Sequence, residues 1–150
     1  MDLILWRHAE AEDAARGGDL ARPLTARGRA QAARVAAWLA ARLPANARVL
    51  ASPARRCQET VAALGVNAST VVAIGPGATA EALLQAAGWP GQQATVLVVS
   101  HQPTLGAAAA LAMGAPGASW HVDKGAVWWL VGTHRGSARL RAVCSPDDLP

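Results

Sequence analysis

Three short apolar runs, each ending in a basic or imidazole-bearing loop and each followed by helical sequence, limit what this chain can fold into. The runs are Leu3-Ile4-Leu5-Trp6, Val49-Leu50-Ala51 and Val96-Leu97-Val98-Val99. They are too short for helices, are apolar throughout rather than alternating, and so read as strands buried on both faces. Strands of that kind separated by helical stretches predict βαβ units and a parallel sheet. In such a sheet the loops that follow the strands lie along one edge, where open α/β sheets hold their ligands. Arg7 and His8 follow the first run, Arg56 the second and His101 the third. Two guanidinium groups and two imidazoles gathered at one edge describe a site for a phosphoryl group.

Four segments carry the chemistry: Leu5-Trp6-Arg7-His8, Arg22-Pro23-Leu24-Thr25-Ala26-Arg27-Gly28, Ser52-Pro53-Ala54-Arg55-Arg56-Cys57-Gln58-Glu59-Thr60, and Val98-Val99-Ser100-His101-Gln102-Pro103. In this order they resemble the histidine phosphatase superfamily. The small size and the Arg-Pro-Leu-Thr element are similar to its bacterial phosphohistidine phosphatase branch, the SixA type. One departure is visible: the residue after the histidine, commonly glycine in the family, is Ala9 here.

The resemblance implies a phosphoglycerate-mutase-like fold, a three-layer α/β sandwich with a mostly parallel central sheet. It also implies that His8 is the nucleophile, forming a phosphohistidine, and that Arg7, Arg56 and His101 bind the phosphoryl oxygens. The spacing of Ser-Pro-x-x-Arg selects Arg56 rather than Arg55. A helical step of about 100° separates the two side chains, so one of them faces the site and the other solvent. His101 opens a helix, where free N–H groups favour an anion, but it could also cap that helix. Arg22 could reach the phosphoryl group or be held by an acid such as Asp19. Larger members of the family carry a leaving-group acid in the region after the third strand, where Glu81 is the one acid. Two residues past a helix cap, Glu81 sits where glutamate belongs for helical reasons alone. An imidazole leaving a phosphoramidate needs less help than an alkoxide leaving an ester, so phosphohistidine on a protein, such as a phosphotransfer domain, is the expected substrate. The alternatives are a small-molecule phosphomonoesterase and a phosphate-binding module without turnover.

Residues 1–150 are expected to form one domain, large enough to bury roughly 70% of the unfolded surface. Thr25 should cap a helix reaching about Leu43, with Ala32, Val35, Ala36 and Leu39 as its apolar stripe. Further helices are expected over residues 53–64, from a Thr79 cap over 81–87, and from Pro103, at the first helical position, to about Met113. Val71 to Ile74 reads as a short strand closed by Gly75-Pro76-Gly77. Residues 125–131 and 138–143 read as a C-terminal antiparallel hairpin.

Composition narrows the partners. The net charge is +4, and thirteen of the fourteen basic residues are arginines spread along the chain, with Lys124 the lone lysine. No dense basic run occurs, and phenylalanine and tyrosine are absent, so nucleic acid is not an expected partner. No N-terminal signal pattern and no apolar run of roughly 18 residues is present, so no membrane span is expected. Cys57 and Cys144 have no metal-ligand spacing, so neither a metal nor another cofactor is expected and a reduced, cytoplasmic setting is the simplest inference. No role follows for His121, His134 or Lys124, and Trp128 and Trp129 read as core and sheet cover.

Overall fold

The computed structural model describes residues 1–150. Its centre is a mixed sheet built from β1 (Asp2–Arg7), β2 (Arg48–Ala51), β3 (Ser69–Thr70), β4 (Thr95–Ser100), β5 (Val127–Val131) and β6 (Arg139–Cys144), in the order β3-β2-β4-β1-β5-β6. The first four strands run parallel, and β5 and β6 add antiparallel beyond β1 as the hairpin. Helices α1 (Ala26–Ala40) and α2 (Arg55–Ala62) cover one face, and α3 (Ala80–Ala87) and α4 (Thr104–Ala112) the other.

The period of two in each apolar run decides the layers. Leu3, Leu5, Leu50, Val96 and Val98 pack into a core with Leu83, Leu105 and Ala109. Their neighbours Ile4, Trp6, Val49, Ala51, Leu97 and Val99 point the other way, against Val35, Leu39, Cys57 and Val61. Both sets are buried, which is why these strands read as continuous apolar runs. The predicted stripe of α1 is buried, and alanine gives that helix high intrinsic propensity. Thr25 caps it by accepting from the Gly28 N–H at 2.9 Å, and Thr79 caps α3 in the same way through Ala82. Trp129 is buried and donates from its indole to Asp2, as expected of sheet cover. No helix is long and apolar enough to cross a membrane.

Two local expectations are corrected. Val71–Ile74 is not a strand: β3 is the preceding pair, and residues 72–74 form a 3₁₀ turn with Val72 exposed and Ile74 buried. The cause is tertiary, because the Ser100 hydroxyl donates to the Ile74 carbonyl at 2.8 Å and folds the chain across the edge of the sheet. Pro103 stands at the cap of α4 rather than its first turn.

Gly28 shows why the segment after Arg22 needs its glycine. A Cβ there would lie 1.9 Å from the Glu10 carbonyl oxygen, so the N-terminus of α1 presses directly on the loop after β1. Gly28→Ala must push that backbone away and should cost at least ~2 kcal/mol of stability. Arg34→Ala, on the exposed side of α1, should stay within ~0.5 kcal/mol. Denaturant unfolding of both variants checks the contrast.

Candidate active site

The register of the two central strands sets the site. Arg7 pairs with Ser100, so His8 and His101 are the first residues past the paired ends of β1 and β4. His8 is held from both sides: its N–H donates to the Ser100 carbonyl, and its carbonyl accepts from the Gly125 N–H. The His8 and His101 ring centroids are 5.3 Å apart. Arg7, His8, Arg22, Arg56 and His101 all line one cavity of about 250 Å³, together with Asp13, Gln102, Lys124 and the Pro76-Gly77 turn. The predicted residues are thus brought together, although they arrive from four separate segments.

His8 is buried, and its Nδ1 lies 2.8 Å from the Ala9 carbonyl. A carbonyl only accepts, so Nδ1 carries the proton and Nε2 keeps its lone pair. Desolvation lowers the His8 pKa to about 4, partly offset by the Ala9 bond and reinforced by Arg56, Arg7 and Arg22. The imidazole is therefore neutral at pH 7 and presents a nucleophilic nitrogen. No non-glycine residue has a positive φ, so Ala9 keeps an ordinary backbone.

Arg56 and Arg55 separate as expected. Arg56 is 3% exposed, whereas Arg55 is exposed and pairs with Glu59 at 3.0 Å. Three further contacts hold the Arg56 guanidinium: Nη1 donates to the Asp19 carbonyl at 2.9 Å, and Nη2 to Asp19 Oδ2 at 3.2 Å and to His101 Nδ1 at 3.3 Å. An arginine can only donate, so His101 Nδ1 is an acceptor and Nε2–H donates to the Ser52 hydroxyl at 2.7 Å. Burial, then His8 and Arg56, lower the His101 pKa to about 3. In this state His101 braces Arg56, and both of its nitrogens are occupied. It does not cap α4 with its ring.

Arg22 lines the cavity and is also held by an acid, so both expectations for it describe part of its position. Its Nε donates to Asp19 Oδ1 at 3.0 Å and its Nη1 to the Glu12 carbonyl. Glu81 is exposed and lines a different hollow, against Leu84, Trp89 and Arg135. His121 is exposed and paired with Asp123, and His134 bonds to Thr133. Both cysteines are free, and burial pushes the Cys57 thiol up to about 12, which makes it unreactive.

Sequence reasoning passed over several residues that build the site. Ser52 orients His101, and Thr60 accepts from the Ala9 N–H while donating to the Arg56 carbonyl at 2.7 Å. Thr60 therefore ties the nucleophile's loop to the helix that carries Arg56. Its spacing, one helical turn after Arg56, was the available signal. Lys124 reaches the cavity on the segment Val122–Gly125, which Arg7 anchors by donating to the Val122 carbonyl at 2.8 Å. No pattern marked that segment.

The histidine phosphatase superfamily (branch 1) model matches residues 3–77. Uncharacterized proteins from two strains of Mycobacterium tuberculosis are 35% identical over 108 residues, 69% of this chain and 66% of theirs. The match therefore spans just under two thirds of those relatives. Among solved structures, a candidate phosphohistidine phosphatase SixA from Nakamurella multipartitia superposes with a TM-score of 0.81 at 30% identity, covering 97% of this chain and 95% of that one. The protein histidine phosphatase SixA complexed with tungstate superposes at 0.82 with 25% identity, over 99% of each chain.

The two neutral histidines make stability depend on pH. Unfolding returns each to its ordinary value near 6.5, so between about pH 6.5 and 4 the unfolded chain binds more protons than the folded one. Stability should be complete above that window and fall as pH drops through it, by up to ~1.4 kcal/mol per unit for each histidine. Denaturant unfolding at pH 7, 6 and 5 measures the slope, and a folded His8→Asn, His101→Gln double variant should flatten it.

Proposed function

Because the chain belongs to the histidine phosphatase superfamily, we propose that it is a phosphatase passing a phosphoryl group through His8 to water. The observation that carries this reading is the pinned tautomer: Nδ1 bonds to the Ala9 carbonyl, and a neutral Nε2 lies in a cavity lined by Arg7, Arg22 and Arg56. The Nε2 lone pair forms a bond to phosphorus while the bond to the leaving group breaks. The leaving group departs with that electron pair and takes up a proton. Water then attacks the phosphohistidine, the P–Nε2 pair returns to His8, and the proton of the attacking water passes to solvent.

The arginines offset the charge spread over the phosphoryl oxygens in both steps. Their Nε atoms support that role, since Arg7 Nε and Arg56 Nε are buried without a hydrogen-bond partner. A buried unpaired donor costs ~1–3 kcal/mol, which an oxyanion brought within reach would offset. Metal independence belongs to the same proposal, because these side chains supply the positive charge that a cation would otherwise provide.

We assign the substrate as phosphohistidine on a protein. At about 250 Å³ the cavity lies just below the ~300–1,000 Å³ of sites that enclose small ligands, which favours a substrate whose body stays outside. The body of the substrate then rests outside, as a side chain presented by another protein does. Glu81 lies off the cavity, which suits a leaving group that needs little acid assistance.

Two measurements test the reading. Acid-labile, base-stable label should appear on wild type after rapid quench with a labelled phosphoryl donor, and be absent from His8→Ala. A phosphohistidine peptide should exceed a phosphoserine peptide and sugar phosphates in kcat/KM by at least about tenfold, or ~1.4 kcal/mol, with Glu81→Gln leaving both values unchanged. An ester preference that Glu81→Gln abolishes would instead identify a small-molecule phosphomonoesterase.

A further inference from the structure

Asp19 is a carboxylate held by two arginines that line the cavity. One of its carboxylate oxygens takes Arg22 Nε at 3.0 Å and the other takes Arg56 Nη2 at 3.2 Å. The two arginines differ sharply from their partner in burial. The Arg56 side chain is 4% exposed, while Asp19 is 56% exposed. The carboxylate, unlike Arg56, is open to water, so it is rehydrated when it leaves the guanidinium.

Arg56 meanwhile has an incomplete fork. A guanidinium grips an oxyanion best side-on, with two parallel N–H groups. Its Nε has no partner, but the neighbouring Nη2 spends its two hydrogens on Asp19 and His101. A phosphoryl group that grips Arg56 through Nε and Nη2 must therefore take one of those two contacts. The bond to His101 is buried and the bond to Asp19 only partly so, so the second yields first.

We propose that Asp19 is a substrate-displaced competitor: the phosphoryl group expels its carboxylate from Arg56, which also frees Arg22 to bind the substrate. This rests on the phosphatase reading above and adds a residue that sets affinity without taking part in bond making. Asp19 keeps hold of Arg56 through its backbone carbonyl, which accepts from Nη1 at 2.9 Å, so the guanidinium stays in place when the carboxylate leaves. Asp13 offers the contrast. It lines the cavity itself and bears the same charge, but it pairs with no arginine.

The test is calorimetric titration of inorganic phosphate into wild type, Asp19→Asn, Asp19→Ala and Asp13→Asn, with kcat and KM measured on a phosphohistidine peptide. Both Asp19 variants should bind phosphate at least about tenfold more tightly than wild type, with KM lowered and kcat within about twofold. Asp13→Asn removes the charge alone and should tighten binding by less than about threefold. Adding Arg22→Ala to Asp19→Asn should return much of the gain. Phosphate binding that is unchanged or weaker in the Asp19 variants, equal gains in Asp19→Asn and Asp13→Asn, or a collapse of kcat would overturn the displacement and leave the phosphatase reading standing. Failure of every protein to bind phosphate, with no turnover in wild type, would overturn the phosphatase reading and the displacement together.

Discussion

Everything at the site depends on the pairing of β1 with β4. These adjacent parallel strands are the two most deeply buried, and their register places Arg7 opposite Ser100. One residue further on, both chains leave the sheet together, and each does so at a histidine. Strand β2 joins at the same level on the other side of β4, so Ser52 emerges within reach of His101. Moving β4 by a single residue would turn His101 towards the opposite face of the sheet. The apolar pattern alone does not forbid such a slip, because both faces are apolar. Polar ties at the strand ends supply the discrimination, among them the Ser100 hydroxyl on Ile74 and the His8 backbone bonded between Ser100 and Gly125.

Electrostatically, the site separates two kinds of basic group. Burial keeps both imidazoles neutral, while the guanidinium groups remain charged. A protonated His8 would have no lone pair to offer, and burial near three arginines prevents that protonation at pH 7. The same arginines that would attract a phosphoryl group therefore keep its acceptor reactive. Asp19 is itself bound by this field: desolvation pushes its carboxyl up, but Arg56 and Arg22 hold it below the ordinary range.

Much of this is legible in the sequence. The three apolar runs announced a parallel sheet, and the loops after them named the four residues that line the cavity with Arg22. The helix stripe of α1, its Thr25 cap and the terminal hairpin followed from periodicity and turn residues. What could not be read depended on contacts between distant segments. Val71 to Ile74 has the composition of a strand, but a hydroxyl 26 residues away captures the Ile74 carbonyl. The duty of His101 as a brace for Arg56 depends on which nitrogen meets which donor, and a sequence holds no such geometry. Asp19 was visible only as a partner for Arg22. Its second arginine came from a helix 37 residues further along.

The turn over Pro76 and Gly77 that walls the cavity is stitched at both ends. Ser100 holds the Ile74 carbonyl before it, and the Thr104 hydroxyl holds the Ala78 carbonyl after it, at 2.6 Å. Between these stitches Pro76 and Gly77 are exposed and touch the cavity. New residues grafted there would leave both anchors intact and extend the wall of the cavity. The scaffold thus offers evolution a hem that can be let out: extra chain at this one point would roof the pocket and enclose a free metabolite, with no change to the sheet or its chemistry. In its present short form, the wall adds only Pro76 and Gly77 to the cavity.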